Sequence, residues 1–453
     1  MPSETEVSTR ARRGLPPALR RRLARAEPLS LGQRLRPLLR RLRPRGRLAA
    51  ILTLLGPGLV AAAAGNDAGG ITTFTTVGAT YGYTLLWALL LIAVSLCVVQ
   101  EMSARLGAVT GKGLADLIRE EFGVRWTAFA MVVLLIANAG TTIAEFAGIS
   151  AALGLFGVSK YLSVPLMALV VWLVVVRLSY RVAERVFLSL SAVFVVYVVA
   201  VFLARPDWAA VGRSTVVPHL EANGAYIATL ITLVGTTVTP YMQLFLQSAV
   251  VDKGVTTEDY PHERLDVLVG SVLSILVSAA IIVVCAATLH ARGVTVDTAA
   301  DAAEALRPIT GPAATGLFAI GLFGASMLAA SIVPLSTAYA ISEAFGFERG
   351  VSRAFGEARV FFGLYTGLIV LGAAVVLLPV HPLGVILTSQ LINGLLLPIE
   401  LVFILLLVNN RALMGRWTNG RAFNAVAWLT TAVLVVLTAT FLLATIFPGL
   451  LGG

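Results

Sequence analysis

Two short polar stretches interrupt long apolar segments, and together they decide the fold. The first is Gly65-Asn66-Asp67-Ala68-Gly69-Gly70, and the second is Gly235-Thr236-Thr237-Val238-Thr239-Pro240-Tyr241. Glycine, proline and polar side chains at these points would break helical hydrogen bonding in the middle of a hydrocarbon layer. Non-helical backbone is tolerated there only where it is buried in protein or lines a cavity. The two stretches therefore predict two discontinuous membrane helices that share a site.

The composition of the chain supports a membrane protein. Of its 453 residues, 58% are hydrophobic and 13% are charged, and the mean hydropathy is +0.88. Soluble domains contain about 25% charged residues. This composition excludes a soluble enzyme, a disordered chain and a secreted disulfide scaffold. The sequence contains no nucleotide-binding loop, zinc motif or nucleophile arrangement, so we expect neither enzymatic activity nor a cofactor.

The net charge of +10 comes from the amino-terminal tail. Residues 1–47 contain 14 Arg and three Glu, whereas the other 406 residues sum to −1. Such a tail is typical of a disordered arm or of a segment that lies on anionic lipid. The sequence therefore predicts a basic cytoplasmic tail over 1–47 and a transmembrane domain over 48–453. We expect membrane lipid as a partner, no nucleic acid and no obligate protein partner.

Eleven apolar segments are long enough to span a membrane, which requires about 20 residues. They lie near 50–78, 83–104, 126–156, 161–178, 186–204, 224–250, 266–290, 312–345, 358–379, 383–409 and 424–447. The two interrupted spans, 1 and 6, are five spans apart. This spacing predicts an all-α integral membrane fold with an inverted repeat of spans 1–5 and 6–10 and with span 11 appended.

The distribution of basic residues predicts the orientation. The tail and the loops after spans 2, 4, 6, 8 and 10 hold 29 Lys and Arg, against five in the segments on the other side. Since positive charge marks cytoplasmic loops, we expect a multi-pass protein of the cell membrane. Its amino terminus would be cytoplasmic and its carboxyl terminus external.

Asp67 is the most informative single residue. An ionised carboxylate near the bilayer midplane costs several kcal/mol, and span 1 offers no basic partner for a structural ion pair. A carboxylate beside freed backbone carbonyls makes an oxygen site for a hard cation. The Thr-Pro element of span 6, taken alone, fits a proline kink equally well. It gains weight because it matches the break in span 1.

Three further polar residues within the spans leave alternatives open. Glu145 in span 3 has no evident partner and is predicted to line a path. Gln390 and Asn393 are three residues apart in span 10 and would face the same way, where they fit either a binding site or interhelical hydrogen bonding.

Several segments carry a resemblance to a known family. They are Gly56-Pro57-Gly58 through Trp87, Ser103 through Lys112, Ala144-Glu145 with Gly148, Gly235 through Ser248, and Ser389-Gln390 with Leu397-Pro398. Together they resemble the NRAMP (SLC11-type) divalent-metal transporters, over roughly residues 50–420. The resemblance implies a LeuT-type fold of 11 transmembrane helices and a divalent cation bound between the breaks of helices 1 and 6.

The departures from the family pattern point toward a different ion. The family's Asp-Pro-Gly-Asn is replaced here by Asp67-Ala68-Gly69-Gly70, and Ala-x-x-Met-Pro-His by the stretch from Thr236 to Tyr241. A second family histidine corresponds to Gln247, and the aspartate associated with proton movement corresponds to Thr142. Methionine sulfur favours soft transition metals, whereas carboxylate, carbonyl and water suit Mg²⁺. The sequence is most similar to the NRAMP-related magnesium transporters.

The leading hypothesis is therefore import of Mg²⁺, with Mn²⁺ as a second substrate, without obligatory proton coupling. The predicted metal-site residues are Asp67, Thr236, Thr239, Asn66, Gly70 and Gln390, and the predicted pathway residues are Glu145, Tyr241 and Gln243. The main alternative is a proton-coupled Mn²⁺/Fe²⁺ importer. A Na⁺-coupled amino-acid symporter and a receptor or scaffold are two further hypotheses, but the first fits poorly with a charged Asp67 and the second leaves the paired breaks without a purpose.

Overall fold

The computed structural model describes residues 65–177, 196–221, 223–350 and 355–447. Within these ranges the chain is helical and has no strand. The predicted tail over 1–47, the first half of span 1 and much of span 5 lie outside the described residues. Leaving short connecting helices unlabelled, the helices are α1 (Ala68–Tyr81), α2 (Leu86–Thr110), α3 (Leu114–Gly154), α4 (Lys160–Arg177), α5 (Val196–Leu203), α6 (Gly224–Thr237), α7 (Pro240–Lys253), α8 (Tyr260–Thr288), α9 (Ala314–Phe345), α10 (Arg359–Leu377), α11 (Pro382–Asn409) and α12 (Arg421–Ile446).

The predicted spans correspond to these helices. Eight helical stretches of the described chain are long and apolar enough to cross a membrane, and α4 adds a shorter apolar helix. Spans 8 to 11 agree with α9 to α12 within three residues. The predicted break in span 6 is observed, because that span consists of α6 and α7. In span 1, residues 65–67 are not helical and α1 begins after them.

Three helices run further than the hydropathy pattern predicts. Span 2 was expected to end near 104, span 3 to begin near 126 and span 7 to begin near 266, whereas α2 ends at Thr110, α3 begins at Leu114 and α8 begins at Tyr260. The extra turns of α2 and α8 contain charged or polar residues and stay helical, so an apolar count excludes them. The extension of α3 is a separate helical segment, because the backbone at Gly123 is not helical (φ +77°, ψ 175°). The predicted start near 126 lies just after this kink.

We use the term basic end for the end of the bundle that carries Arg105, Lys112, Arg411 and Arg416. A buried ion pair lies there, as the spacing on α2 suggests: Arg105 Nη2 lies 3.1 Å from Glu101 Oε2. Arg105 Nη1 also donates to the carbonyl of Trp417, at 2.7 Å. The pair therefore ties α2 to the loop between α11 and α12.

The interior of the bundle is built around α3 and the broken span. α3 packs along both α9 and α11, α1 and α2 pack against α8, and α6 packs against α11. Within its most apolar window, the α6–α7 span is 89% buried and α12 only 11%. The break in span 6 therefore lies in the core, whereas most of α12 faces away from it.

The backbones of α6 and α11 touch beside the break, through two glycines. A Cβ on Gly235 would lie 2.2 Å from the carbonyl oxygen of Gln390, and one on Gly394 would lie 2.2 Å from the carbonyl oxygen of Ile231. Neither carbonyl can move far without disturbing its helix. Glycine at both positions therefore sets how closely the end of α6 approaches Gln390.

The glycine contact gives a stability prediction. Gly235→Ala should destabilise the protein by about 1–3 kcal/mol, the usual cost of overpacking. The new methyl group would collide with the backbone of Gln390 and Gly394. Gly316→Ala is the matched control, since Gly316 is also helical and has nothing within 4 Å of its added Cβ. Thermal unfolding in detergent measures both variants. Equal melting temperatures for the two would contradict the close contact.

Candidate functional site

Asp67 begins α1 and lies at the centre of the candidate site. Its side chain is fully buried, and its Oδ1 accepts a hydrogen bond from the backbone N–H of Gly70 at 2.8 Å. Aspartate is a favoured N-cap, and the partial positive charge of a helix N-terminus helps to stabilise its carboxylate. The second oxygen, Oδ2, accepts from the hydroxyl of Tyr241 at 3.4 Å. That contact is long and weak, so Oδ2 remains available to a cation.

The break in span 6 exposes a backbone carbonyl. α6 ends at Thr237, and Val238 and Thr239 have non-helical dihedral angles before α7 begins at Pro240. In a continuous helix, residue 240 would donate its N–H to the carbonyl of Thr236, four residues earlier. Proline has no N–H. The carbonyl of Thr236 is therefore freed from helical pairing, as an oxygen ligand requires.

Glu145 lies closer to Asp67 than the sequence interpretation assumed. Its side chain is fully buried, and its Oε2 accepts from the backbone N–H of Ala68 at 3.3 Å. The carboxyl groups of Glu145 and Asp67 also interact with each other, and Tyr241 interacts electrostatically with both. Glu145 was predicted to line a path, whereas the structure places it against the start of α1, at the site itself.

Gln390 lies between the two breaks, with its amide oriented by Asn393. A Cβ on Gly69 would lie 2.0 Å from Gln390 Nε2, so the amide nitrogen faces the start of α1. Asn393 Nδ2 donates to Gln390 Oε1 at 3.1 Å and to Thr141 Oγ1 at 2.9 Å, while Thr141 donates to the carbonyl of Ala137. In this arrangement the amide oxygen of Gln390 is already used. To ligate a cation directly, this amide would have to turn over.

Asn66 and Gly70 have other roles in this conformation. Asn66 Nδ2 donates to Ser274 Oγ at 3.0 Å, and its Oδ1 accepts from Ser278 Oγ at 3.3 Å. The amide is therefore held by α8. Gly70 contributes its backbone N–H to the cap, and a Cβ there would lie 2.7 Å from the carbonyl oxygen of Gly65. Gly70 thus keeps the turn before α1 tight and offers no side-chain ligand.

Several buried oxygens around the break have no partner within the described ranges. They include Thr236 Oγ1 and the amide oxygen of Gln243, whose side chains are fully buried. The Thr239 hydroxyl, also fully buried, interacts with the side chain of Tyr241. Buried polar groups are normally hydrogen-bonded. Unused hydroxyl and amide groups beside a carboxylate can hold a cation or the water molecules around it.

The serines of α8 are the residues that the sequence interpretation missed. Ser274 and Ser278 are four residues apart and so lie on one helical face. A polar pair at that spacing in an apolar span was the available signal. Its partner could not be derived, because nothing in the sequence indicates which side chain α8 meets.

The donor set of the site consists of oxygen and nitrogen groups and is poor in charge. No group of three or more His, Cys, Asp or Glu that could hold a metal occurs in the part of the chain that the structure describes. Two carboxyl groups, a freed carbonyl, hydroxyls and amides suit a hard cation that keeps some of its water. A closed structural metal site would need more charged ligands.

Comparisons with known proteins match most of the chain. A family model described as Natural resistance-associated macrophage protein-like, Nramp, matches residues 58–444. The divalent metal cation transporter MntH of Deinococcus radiodurans is 33% identical over 414 residues, which cover 87% of this chain and 90% of that protein. MntH of Ralstonia nicotianae is 33% identical over 408 residues, with 85% and 89% covered.

Solved structures with the same fold include transporters of different kinds. A manganese transporter from Eremococcus coleocola has a TM-score of 0.70 and 21% identity, with 90% of each chain covered. MhsT, solved in complex with L-phenylalanine, has a TM-score of 0.55 and 13% identity, with 89% of this chain and 99% of that chain covered. These likenesses concern the fold alone, and they confirm the predicted LeuT-type architecture.

The two functions of Asp67, capping and charge, can be separated by mutation. Asp67→Asn keeps a good N-cap and removes the buried charge, so its melting temperature should equal or exceed that of the wild type. Asp67→Ala loses the cap as well, which costs about 1 kcal/mol, so it should melt lower than Asp67→Asn. Thermal unfolding without added metal makes the comparison. If both variants melt alike, Asp67 does not cap α1.

Proposed function

Because the chain belongs to the Nramp family of membrane transporters, we propose that it carries divalent metal cations across the cell membrane through the site at Asp67. It is a multi-pass membrane protein and not an enzyme. The two MntH relatives named above are divalent metal cation transporters, and the Eremococcus coleocola protein is a manganese transporter. Asp67 carries the proposal, because it is a fully buried carboxylate at the start of α1 whose Oδ2 accepts only a long hydrogen bond from Tyr241, at the break in span 6.

We further propose Mg²⁺ as the main substrate and Mn²⁺ as a second one. Position 239 begins the turn into α7 beside the freed carbonyl of Thr236, and its side chain is a threonine hydroxyl. A thioether there would favour soft transition metals, whereas oxygen donors suit Mg²⁺. Mg²⁺ loses its water reluctantly and keeps several waters when bound.

Import without obligatory proton coupling is consistent with the residues near the site. Position 142, where the sequence comparison expects a titratable aspartate, holds a threonine whose hydroxyl donates to the carbonyl of Asn138 at 2.7 Å. Moving two charges through 100 mV is worth about 4.6 kcal/mol. The membrane potential alone can therefore concentrate a divalent cation inside the cell.

A proton-coupled Mn²⁺/Fe²⁺ importer is the second candidate. The contact between Asp67 and Glu145 favours it, because two buried carboxyl groups that interact can share a proton. Binding of a cation at Asp67 would then displace that proton. The names of the similar proteins, which mention divalent metals and manganese, agree with this candidate as well as with the first.

Metal flux in proteoliposomes separates the two candidates. We expect uptake of Mg²⁺ at millimolar concentration, stimulated by a potential that is negative inside, with no stoichiometric change in internal pH. Asp67→Asn should abolish the flux, because the cation loses the carboxylate that binds it and Glu145 is then the remaining carboxyl group at the site. Mn²⁺ uptake with matched internal acidification, together with indifference to Mg²⁺, would establish the second candidate and refute the first.

The hydroxyl of Thr239 gives a test of selectivity. Thr239→Met should increase transport of Mn²⁺ and Cd²⁺ relative to Mg²⁺ by about tenfold or more, because sulfur is a soft ligand. Thr239→Val, which removes the hydroxyl without adding sulfur, is the control and should lower Mg²⁺ flux without this gain. Competition of each metal against labelled Mn²⁺ measures the ratio. An unchanged ratio in Thr239→Met would place Thr239 outside the ligand set.

A further inference from the structure

Glu400 is a buried ionisable residue that the proposed transport site does not use. It lies on α11, seven residues beyond Asn393 and so about two turns nearer the basic end. Only 9% of the residue is exposed, and neither carboxyl oxygen has a hydrogen-bond partner in the described part of the chain. A buried carboxyl group without a partner is costly, so its surroundings indicate what it does.

The surroundings of Glu400 are apolar. It borders a cavity of about 20 Å³ between α3, α7 and α11, which is room for about one water molecule. Every other residue that lines this cavity is apolar; they are Leu114, Ile118, Ala130, Met131, Val133, Leu134, Pro240, Leu244, Leu396, Ile399 and Phe403. Glu400 thus has no charged neighbour among the lining residues.

Three ionisable residues on α3 and α7 have other partners. On α3, Asp116 lies 3.9 Å from Arg349, and Arg119 donates to the carbonyl of Ala344 at 2.9 Å. On α7, the hydroxyl of Tyr241 donates to Asp67. None of these groups can compensate a charge on Glu400.

Protonation of Glu400 removes only part of the free-energy cost of burying its carboxyl group. An ionised carboxylate in such a place costs several kcal/mol, so the group is a neutral carboxylic acid while the three helices are packed. The neutral acid still lacks hydrogen bonds, which costs about 1–3 kcal/mol. That cost disappears in a conformation in which water reaches the cavity. Glu400 therefore favours such a conformation, and favours it more strongly when it is ionised.

One wall of the cavity can move without breaking a helix. Pro240 and Leu244 belong to the first turns of α7, directly after the non-helical residues Val238 and Thr239. Rotation about these two residues would lift α7 away from α3 and α11 with its own hydrogen bonds intact. Because α7 runs from the break to the basic end, the cavity would open toward that end.

We infer that Glu400 is a proton-binding site linked to the position of α7. It holds a proton while α7 is packed against α3 and α11, and it releases the proton to the solution at the basic end when α7 swings out. The proton enters and leaves on the same side, so it controls the rate of the cycle and not its driving force. The inference rests on the proposed transport function only for the idea that α7 moves in each cycle.

Labelling with dicyclohexylcarbodiimide tests the protonation directly and requires no transport. The O–H of a carboxylic acid adds across one C=N bond of this apolar reagent to give an acylisourea, and nothing leaves. Peptide mass spectrometry should find the label at Glu400 in wild type, and the labelled fraction should fall severalfold as the pH at the basic end is raised. Glu400→Gln is the control and should lack this label. No label, or a label independent of pH, would overturn the inference.

Flux measurements test the link to transport. In oriented proteoliposomes, wild-type uptake of Mg²⁺, or of Mn²⁺ if only that ion is carried, should rise severalfold as the pH at the basic end rises. The pH at the opposite end should have no effect through this group. Glu400→Gln, which mimics the neutral acid, should stay at the slow acid-limit rate at every pH. If the glutamine variant does not fold, Glu400→Leu replaces it. Leucine suits the apolar wall and cannot ionise, so its flux should also be independent of pH at the basic end.

The outcomes separate this inference from the proposed function. If the flux of a Glu400 variant depends on pH as the wild-type flux does, Glu400 is not the proton site. If the wild-type flux responds to pH at the opposite end and the variant removes that response, the site does not open to the basic end. Absence of any metal flux with pH-dependent labelling at Glu400 intact would refute the proposed function and leave the proton site standing.

Discussion

The structure depends on keeping the carboxylate of Asp67 buried where the described residues offer it no basic partner. Its charge is stabilised by the first turn of α1, through the N–H of Gly70 and the partial positive charge of the helix end. That arrangement is possible only because α1 starts in the middle of the bundle, directly after Asp67. The start of α1 at this point is thus a requirement of the charge.

The same constraint organises the helices around the site. Glu145 of α3 accepts the N–H of Ala68 and so satisfies another donor at the start of α1. Pro240 frees the carbonyl of Thr236 on the other broken span, and the glycine contact of α6 with α11 brings the end of α6 against the backbone of Gln390. Glu145 and Tyr241 contact the start of α1 directly. The core of the bundle is therefore packed around the Asp67 carboxylate, which needs hydrogen-bond donors from neighbouring helices.

The sequence predicts the architecture because the main signals are local. Apolar length, charge bias and the two interrupted segments indicate the spans and their breaks, and the break between Thr237 and Pro240 is where the pattern predicts it. The errors in α2 and α8 arise because turns that carry charged residues stay helical beyond the predicted spans, whereas in α3 a separate helical segment precedes the kink at Gly123. Hydropathy indicates which residues lie in the hydrocarbon layer and does not indicate where the helix ends.

The site was predicted less completely, since its geometry depends on partners that are distant in the chain. The sequence indicates Asp67 as a buried charge but cannot show that Asn66 bonds to Ser274 and Ser278, or that Asn393 bonds to Thr141. These contacts join residues up to 252 positions apart. Only the packing of α8 against α1 and of α11 against α3 decides them.

The most direct test of the account is the position of a bound ion. Crystals of the protein soaked in Mn²⁺ should show an anomalous difference peak at direct ligand distance from Asp67 Oδ2, on the side facing the freed carbonyl of Thr236, and Asp67→Asn crystals should lack it. A peak elsewhere in the bundle, or an unchanged peak in the Asp67→Asn variant, would contradict the claim that this carboxylate holds the transported cation.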